Sequence, residues 1–265
     1  MYAFNYVKPA SLADAAAALS GAEDGAFLAG GQTLLPTLKQ RLASPSDLVD
    51  LGGIAELQGI RLEGRDVVVG AMTRHAAVAA SAEIKGNIPA LAALAGGIGD
   101  QAVRNRGTIG GSVANNDPAA DYPAAVLGLG ATVVTDRREI AADDFFTGLF
   151  ETALQPGEII TAVRFPQPEK AAYVKFPNPA SRYAMVGVFV AKTAGGVRVA
   201  VTGAGSGGVF RVPAYEEALA ANFAADAVAD GAVAAADLNS DLHADADYRA
   251  HLIGVMTRRA VAAAG

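Results

Sequence analysis

The sequence predicts an α+β fold, and three observations carry the prediction. Short apolar runs of strand length alternate with helical segments through roughly the first 165 residues. Beyond Pro166–Pro168, strand candidates come first and helices last. Apolar residues make up 52% of the chain, much of it alanine, and aromatics only 6%, which favours closely packed helices over a core of large rings. At 265 residues there is enough chain for two domains. The boundary is expected at Pro166–Pro168, dividing 1–165 from 166–265.

The elements follow in order. Pro9 precedes Ser11-Leu12-Ala13-Asp14, a capping box with Asp in place of Glu, which opens a helix to about Ser20. Ala26–Ala29 reads as a strand, followed by a glycine pair and a helix through Leu38 to Arg41. Asp47–Leu51 is a strand. Gln58–Leu62 and Asp66–Val69 flank Glu63-Gly64-Arg65 as a hairpin. Helices are expected from Thr73 through Val78 and from Pro89 through Leu94. A second glycine-rich loop, a short helix Asp121–Leu127 and a buried-type strand Ala131–Thr135 come next. Pro156-Gly157 is a turn before a strand at Ile159–Phe165. Three strands, Ala172–Phe176, Ala184–Lys192 and Val197–Val201, precede helices from Pro213 onward and from about Asp247 to the end. Ala221–Ala236 is alanine-rich and reads as helix.

Composition excludes several functions. A net charge of −6 argues against a broad nucleic-acid surface. There is no cysteine, so thiol catalysis, disulfides and cysteine-held clusters are absent, and only His75, His243 and His251 carry imidazoles. No run of eighteen apolar residues is present, so no transmembrane helix is expected. Met1–Tyr6 lacks the pattern of a signal peptide, which makes a cytoplasmic location the default expectation.

Two glycine segments stand out: Leu28-Ala29-Gly30-Gly31-Gln32-Thr33-Leu34-Leu35-Pro36 and Thr108-Ile109-Gly110-Gly111-Ser112-Val113-Ala114-Asn115-Asn116-Asp117-Pro118. Glycine lets a backbone come close to an anion and turn its N–H groups toward it, so such a pair suits a diphosphate. Tight turns, with Asn and Asp satisfying their own backbone, account for the same residues. A third run, Gly203-Ala204-Gly205-Ser206-Gly207-Gly208, fits G-x-G-x-x-G after a strand. A dinucleotide fold needs a helix at once and then a second strand; Val209–Pro213 and helices follow instead, so a turn is the better reading.

Ala29–Pro36, Thr108–Ser112 and Asp117-Pro118-Ala119-Ala120-Asp121 closely resemble the FAD-binding medium subunit of the molybdenum hydroxylases, the xanthine dehydrogenase and aerobic carbon monoxide dehydrogenase family. The likeness continues through Leu48–Leu51, Gly70–Thr73, Val103–Gly107, Lys175-Phe176 and Ser181–Val188, and spans nearly the whole chain. It implies a PCMH-type FAD-binding domain of two α/β subdomains, about 1–55 and 56–165, then a C-terminal domain of antiparallel strands packed on helices, of the carbon monoxide dehydrogenase flavoprotein type. By resemblance, Leu28, Ala29, Gly30, Gly31, Gln32, Thr33 and Leu34 wrap the FAD diphosphate. Thr108, Ile109, Gly110, Gly111 and Ser112 approach it from the other side, and Asp121, Ile160, Lys175 and Tyr183 contact the cofactor. Core packing is the competing reading for Ile160, a solvated strand position for Lys175 and edge packing for Tyr183. The sequence departs from the family at Gln101-Ala102 and at Pro177. The resemblance further implies electron relay. A small subunit with [2Fe–2S] clusters and a large molybdopterin subunit, arranged as a dimer of heterotrimers, would feed FAD, which would deliver to NAD+, quinone or oxygen. A stand-alone flavin reductase or oxidase and a non-catalytic nucleotide-binding scaffold are the alternatives.

Overall fold

A computed structural model describes residues 1–264. Its first unit holds β1 (Asn5–Val7), α1 (Leu12–Ser20), β2 (Gly25–Leu28), α2 (Leu34–Lys39) and β3 (Asp47–Asp50). The three strands form a parallel sheet in the order β1-β3-β2. Ser11 caps α1 by accepting from the Asp14 amide, at 3.1 Å. Only half of the capping box forms, because the Asp14 carboxylate accepts from the Ser11 hydroxyl at 2.7 Å instead of reaching back to the cap's backbone.

The second unit contains β4 (Ile60–Glu63), β5 (Asp66–Gly70), α3 (His75–Ala80), α4 (Ala82–Asn87), α5 (Pro89–Gly96), α6 (Gln101–Arg104), α7 (Ile109–Asn115) and α8 (Tyr122–Leu129). It continues with β6 (Thr132–Thr135), β7 (Glu139–Ala141), α9 (Ala142–Phe145), the small hairpin β8 (Phe146–Gly148) and β9 (Glu151–Thr152), and β10 (Ile160–Pro166). The sheet order is β4-β5-β10-β6-β7, antiparallel throughout. Helices α3, α5, α7 and α8 bury their apolar residues with β5, β6 and β10 in the largest core. The second glycine segment is therefore not a loop: Gly110 and Gly111 lie in the first turn of α7, with Thr108 as its cap. Glycine's poor helix propensity hides this from a sequence reading, and close packing overrides the propensity.

The last unit comprises β11 (Lys170–Pro177), β12 (Ala184–Thr193), β13 (Gly196–Thr202), β14 (Phe210–Arg211), α10 (Pro213–Ala221) and α11 (Ala246–Ala264). Its antiparallel sheet runs β11-β12-β13-β14. One face packs on α10 and α11. The other meets α5 and α8, so every residue of α8 is buried between two sheets. A helix apolar all round suits that place. Gly128 allows the contact, since a Cβ there would lie 2.9 Å from Phe189 Cδ1.

Gly203–Gly208 turns the chain from β13 to β14, with Gly203 at φ +84° and Gly208 at φ +102°. The helix expected over Ala221–Ala236 is a correction: α10 stops at Ala221, and only two single turns follow, Ala225–Ala227 and Ala235–Asp237. Asn222 takes an extended backbone, Val228 inserts into the core, and Arg258 holds the segment through the Val228 carbonyl and the Asp230 carboxylate. Tertiary contacts outweigh alanine's helix preference here.

Arg249 fastens this last unit. It is 3% exposed and donates to the carbonyls of Met185 (2.6 Å) and Gly203 (3.1 Å) and to the Asp241 carboxylate (2.7 Å). Arg249→Ala leaves two buried carbonyls without their charged donor. The expected loss is about 3 kcal/mol of unfolding free energy, read by urea denaturation.

Candidate functional site

The two glycine segments touch. A Cβ on Gly30 would lie 2.4 Å from the Arg106 carbonyl oxygen, one on Gly110 2.5 Å from Ala71 Cβ, and one on Gly111 3.2 Å from Ala29 Cβ. A side chain at Gly30 would push the first segment off the Arg106–Gly107 backbone, one at Gly110 would push α7 off Ala71, and Gly31 adopts φ +72°, a conformation that favours glycine.

Their donors are used differently. Ile109 N donates to Thr73 O, Gly110 N to Ala71 O, Gly111 N to Thr108 Oγ1 and Ser112 N to Thr108 O. The first two hold α7 to the turn that follows β5, and the other two are satisfied by the Thr108 cap. Among the described residues, the amides of Gly30, Gly31, Gln32 and Thr33 donate to no protein acceptor. The first segment offers N–H groups; the second offers a side-chain-free surface at Gly110 and Gly111, together with the Ser112 hydroxyl.

Both segments line one cavity of about 530 Å³ at the junction of the three units. The first unit adds Phe27 and Leu51, the second adds Met72, Ile98, Asp121 and Ile160, and the third adds Ser181, Arg182 and Tyr183. Its size and largely apolar wall suit an organic ligand with a few polar contacts.

Asp121 is a buried charged residue of this wall, 5% exposed. It accepts from the Tyr173 hydroxyl at 2.5 Å and from Lys175 Nζ at 3.0 Å. Burial pushes its carboxyl above the ordinary aspartate value, while Lys175 and Tyr173 oppose the rise. Lys175 also donates to the carbonyls of Gly97 (3.0 Å) and Arg182 (2.9 Å). It thus binds the end of α5, the start of α8 and the Asn178–Tyr183 loop into one cluster. In that loop Arg182 sits at φ +63°, and Asn178 Oδ1 accepts from the amides of Ala180 and Ser181. Tyr183 stands half exposed at the cavity's edge.

Glu158, also on the wall, anchors the start of β10. It accepts from Arg138, Thr135 and the Gln155 amide, and the Arg138 contact leads in holding its pKa down at about 2. Beneath the second segment, buried His75 packs on Tyr122 and accepts no charge readily: burial, helped by nearby Arg104, lowers its pKa to about 4.

Of the residues singled out from the sequence, Ala29, Gly30, Gly31, Gln32, Thr33, Leu34, Gly110, Gly111, Ser112, Asp121, Ile160 and Tyr183 line the cavity. Leu28 ends β2 behind it, and Thr108 and buried Ile109 fix α7. Lys175 is not on the wall and reaches it through Asp121. Sequence reasoning missed Tyr173, Glu158, Phe27, Leu51 and Ile98. Only the Pro156-Gly157-Glu158 turn carried a signal, since an acidic residue entering a buried strand needs a partner. Gln101 lies exposed beside Arg104, and Pro177 occupies a bulge where β11 ends.

The family model described as the FAD binding domain in molybdopterin dehydrogenase matches residues 2–168. The chain is a flavoprotein subunit of the molybdenum hydroxylase family. It is 39% identical to the carbon monoxide dehydrogenase medium chain of Afipia carboxidovorans, across 97% of this chain and 95% of that one. The nicotine 6-hydroxylase medium subunit of Paenarthrobacter nicotinovorans is 36% identical, across 99% and 98%. A carbon monoxide dehydrogenase structure from Hydrogenophaga pseudoflava superposes with a TM-score of 0.91 at 37% identity, covering 98% of this chain and 96% of that one. These relatives bear out the family, the α+β architecture and the FAD-binding role expected from the residues. Among the described residues, no helix is long and apolar enough to cross a membrane.

His75 sets a pH dependence. Unfolded, it titrates near 6.5; folded, it stays neutral down to about pH 4. Between these values the unfolded chain binds a proton that the folded chain lacks, so stability falls as pH drops. The loss reaches about 3 kcal/mol near pH 4. In denaturant melts of His75→Gln and wild type from pH 7 to 4, the stability gap is expected to shrink toward low pH. A gap independent of pH contradicts the assignment.

Proposed function

We propose that the cavity holds FAD with its diphosphate against the unpaired amides of Gly30–Thr33, and that Gly110–Ser112 cover it from the other side. The contact between the two glycine segments on a single cavity wall is the observation that carries this reading. The residues present fit the group. Free N–H groups suit phosphate oxygens, the missing side chains make room for close approach, and apolar surfaces from three units suit flat rings. In this arrangement Leu28 and Ile109 back the two segments, Asp121 offers a carboxylate to the cofactor, and Ile160 and Tyr183 contact it. Lys175 and Tyr173 fix the position of Asp121. The division of the chain at residue 165, with the FAD-binding domain before it, belongs to the same proposal.

FAD, when bound, supplies the redox chemistry, while the protein supplies binding, orientation and exclusion of water. The proposed role is relay from [2Fe–2S] clusters on a small partner subunit to an external acceptor: NAD+, a quinone or oxygen. Substrate oxidation is placed on a large molybdopterin subunit, in a dimer of heterotrimers. Two observations support this. The chain has no cysteine to hold a cluster, and its relatives are named as medium chains of different dehydrogenases and hydroxylases. Substrate identity therefore sits with a partner.

Titration of the purified chain with FAD tests the binding claim. The expected result is stoichiometric binding with the shifted visible bands of a protein-bound flavin. Gly111→Val, which crowds Ala29 and Thr108, should weaken binding at least about ten-fold with an unchanged far-ultraviolet spectrum. Absence of bound flavin after incubation contradicts the reading. Co-expression with both the cluster-bearing and the molybdopterin partners tests the relay: bound flavin should bleach when substrate is added to the assembled complex and not when it is added to this chain alone.

A further inference from the structure

Beside the larger cavity, and sharing Ala29, Gly30 and Met72 with it, lies a second, smaller recess of about 120 Å³. Its lining includes Lys8, Arg74, Arg106, Gln58, Thr108 and Asp50. In an acidic chain, three cations from three separate segments meet here. None of the three makes an ion pair or a side-chain hydrogen bond among the described residues, and all are exposed. Asp50 does not neutralise them by contact, because its carboxylate accepts from the Tyr6 hydroxyl at 2.5 Å and the Gly52 amide at 2.8 Å.

The recess is built rather than accidental. Residues Arg74 and Thr108 are joined by an antiparallel backbone bridge, and the His75 amide donates to Gly107 O at 3.0 Å, which fixes the two arginine-bearing turns side by side. Gly30 packs on the Arg106 backbone, where a Cβ would collide. The Lys8 stem lies over Gly53, where a Cβ would come within 3.2 Å of Lys8 Cγ and 2.5 Å of Pro9 O. Holding like charges together costs free energy that an anion between them recovers. Two guanidinium forks and an ammonium against one carboxylate leave a formal surplus of two positive charges, which matches a dianion.

We propose that this recess is a second anion site, for a phosphate-sized oxyanion held by Arg74, Arg106 and Lys8 and distinct from the neighbouring cavity. The oxyanion is either inorganic phosphate or the terminal phosphate of a nucleotide. Arginine's planar fork suits both.

Calorimetric titration of the full chain with inorganic phosphate, at constant ionic strength and with and without saturating FAD, tests it. Saturable one-to-one binding is expected, unchanged by FAD and weakened about ten-fold in each of Arg74→Gln and Arg106→Gln. A parallel titration with AMP assigns the source: tighter binding than phosphate points to a nucleotide, equal or weaker binding to the free ion. No saturable binding overturns the proposal, as does an affinity unchanged in both variants. Loss of phosphate binding when FAD is added also overturns it, by placing the anion in the flavin site. Failure of FAD to bind would overturn the flavin reading alone and leave the phosphate result standing. Both arginines are exposed, so the variants should fold, and their melting temperatures check this.

Discussion

Contact between two backbones without side chains is the constraint on which the site depends. At Gly30 and Gly110 even one methyl group would overlap a neighbouring atom at 2.4–2.5 Å. At Gly30 the neighbour is the Arg106–Gly107 backbone, which brings the first unit against the second; at Gly110 it is Ala71, which seats α7 beside the end of β5; the cavity lies where these meet the third unit. Polar accounting then divides the labour. The first amides of α7 are spent on Thr73, Ala71 and the Thr108 cap, whereas those of Gly30–Thr33 have no protein acceptor among the described residues. In the proposed site, two segments alike in sequence therefore take different roles: one donates, and the other supports and permits approach.

The last unit closes the same cavity through one buried cluster. Lys175 and Tyr173 reach from β11 to Asp121 at the start of α8. A buried carboxylate without these partners would be costly, so the burial of Asp121 and the docking of the third unit require each other. The lysine's remaining bonds, to Gly97 and Arg182, set the loop that carries Tyr183. In the flavin reading, the cofactor's surroundings then depend on a domain interface as well as on the nucleotide-binding elements.

Much of the fold was legible because its signals are local. The Ser11 cap, the Gly64 hairpin, the Pro89 helix start and the apolar runs of β11–β13 each have a short-range cause. The glycine segments were legible as a pair of close-approach sites, and twelve of the sixteen residues chosen from the sequence do line the cavity. What stayed hidden depends on distant partners. Helix α7 begins with Ile-Gly-Gly, which propensity disfavours, and it forms because Thr73 and Ala71 accept its first amides. The helix expected over Ala221–Ala236 fails for the opposite reason. Alanine favours it, but Arg258 and the buried Val228 hold an irregular strap in its place. Tyr173 gave no cue, because its partner Asp121 lies on another element, and Glu158 gave only the cue of an acidic residue entering a buried strand.

The most direct measurement is a crystal structure of the full chain grown with FAD. The account predicts diphosphate oxygens within hydrogen-bond distance of the Gly30–Thr33 amides, with Gly110 and Gly111 packed on the opposite side and Tyr183 beside the ring system. A diphosphate bound elsewhere, or one held by the amides of α7 after their release from Ala71 and Thr73, would contradict it.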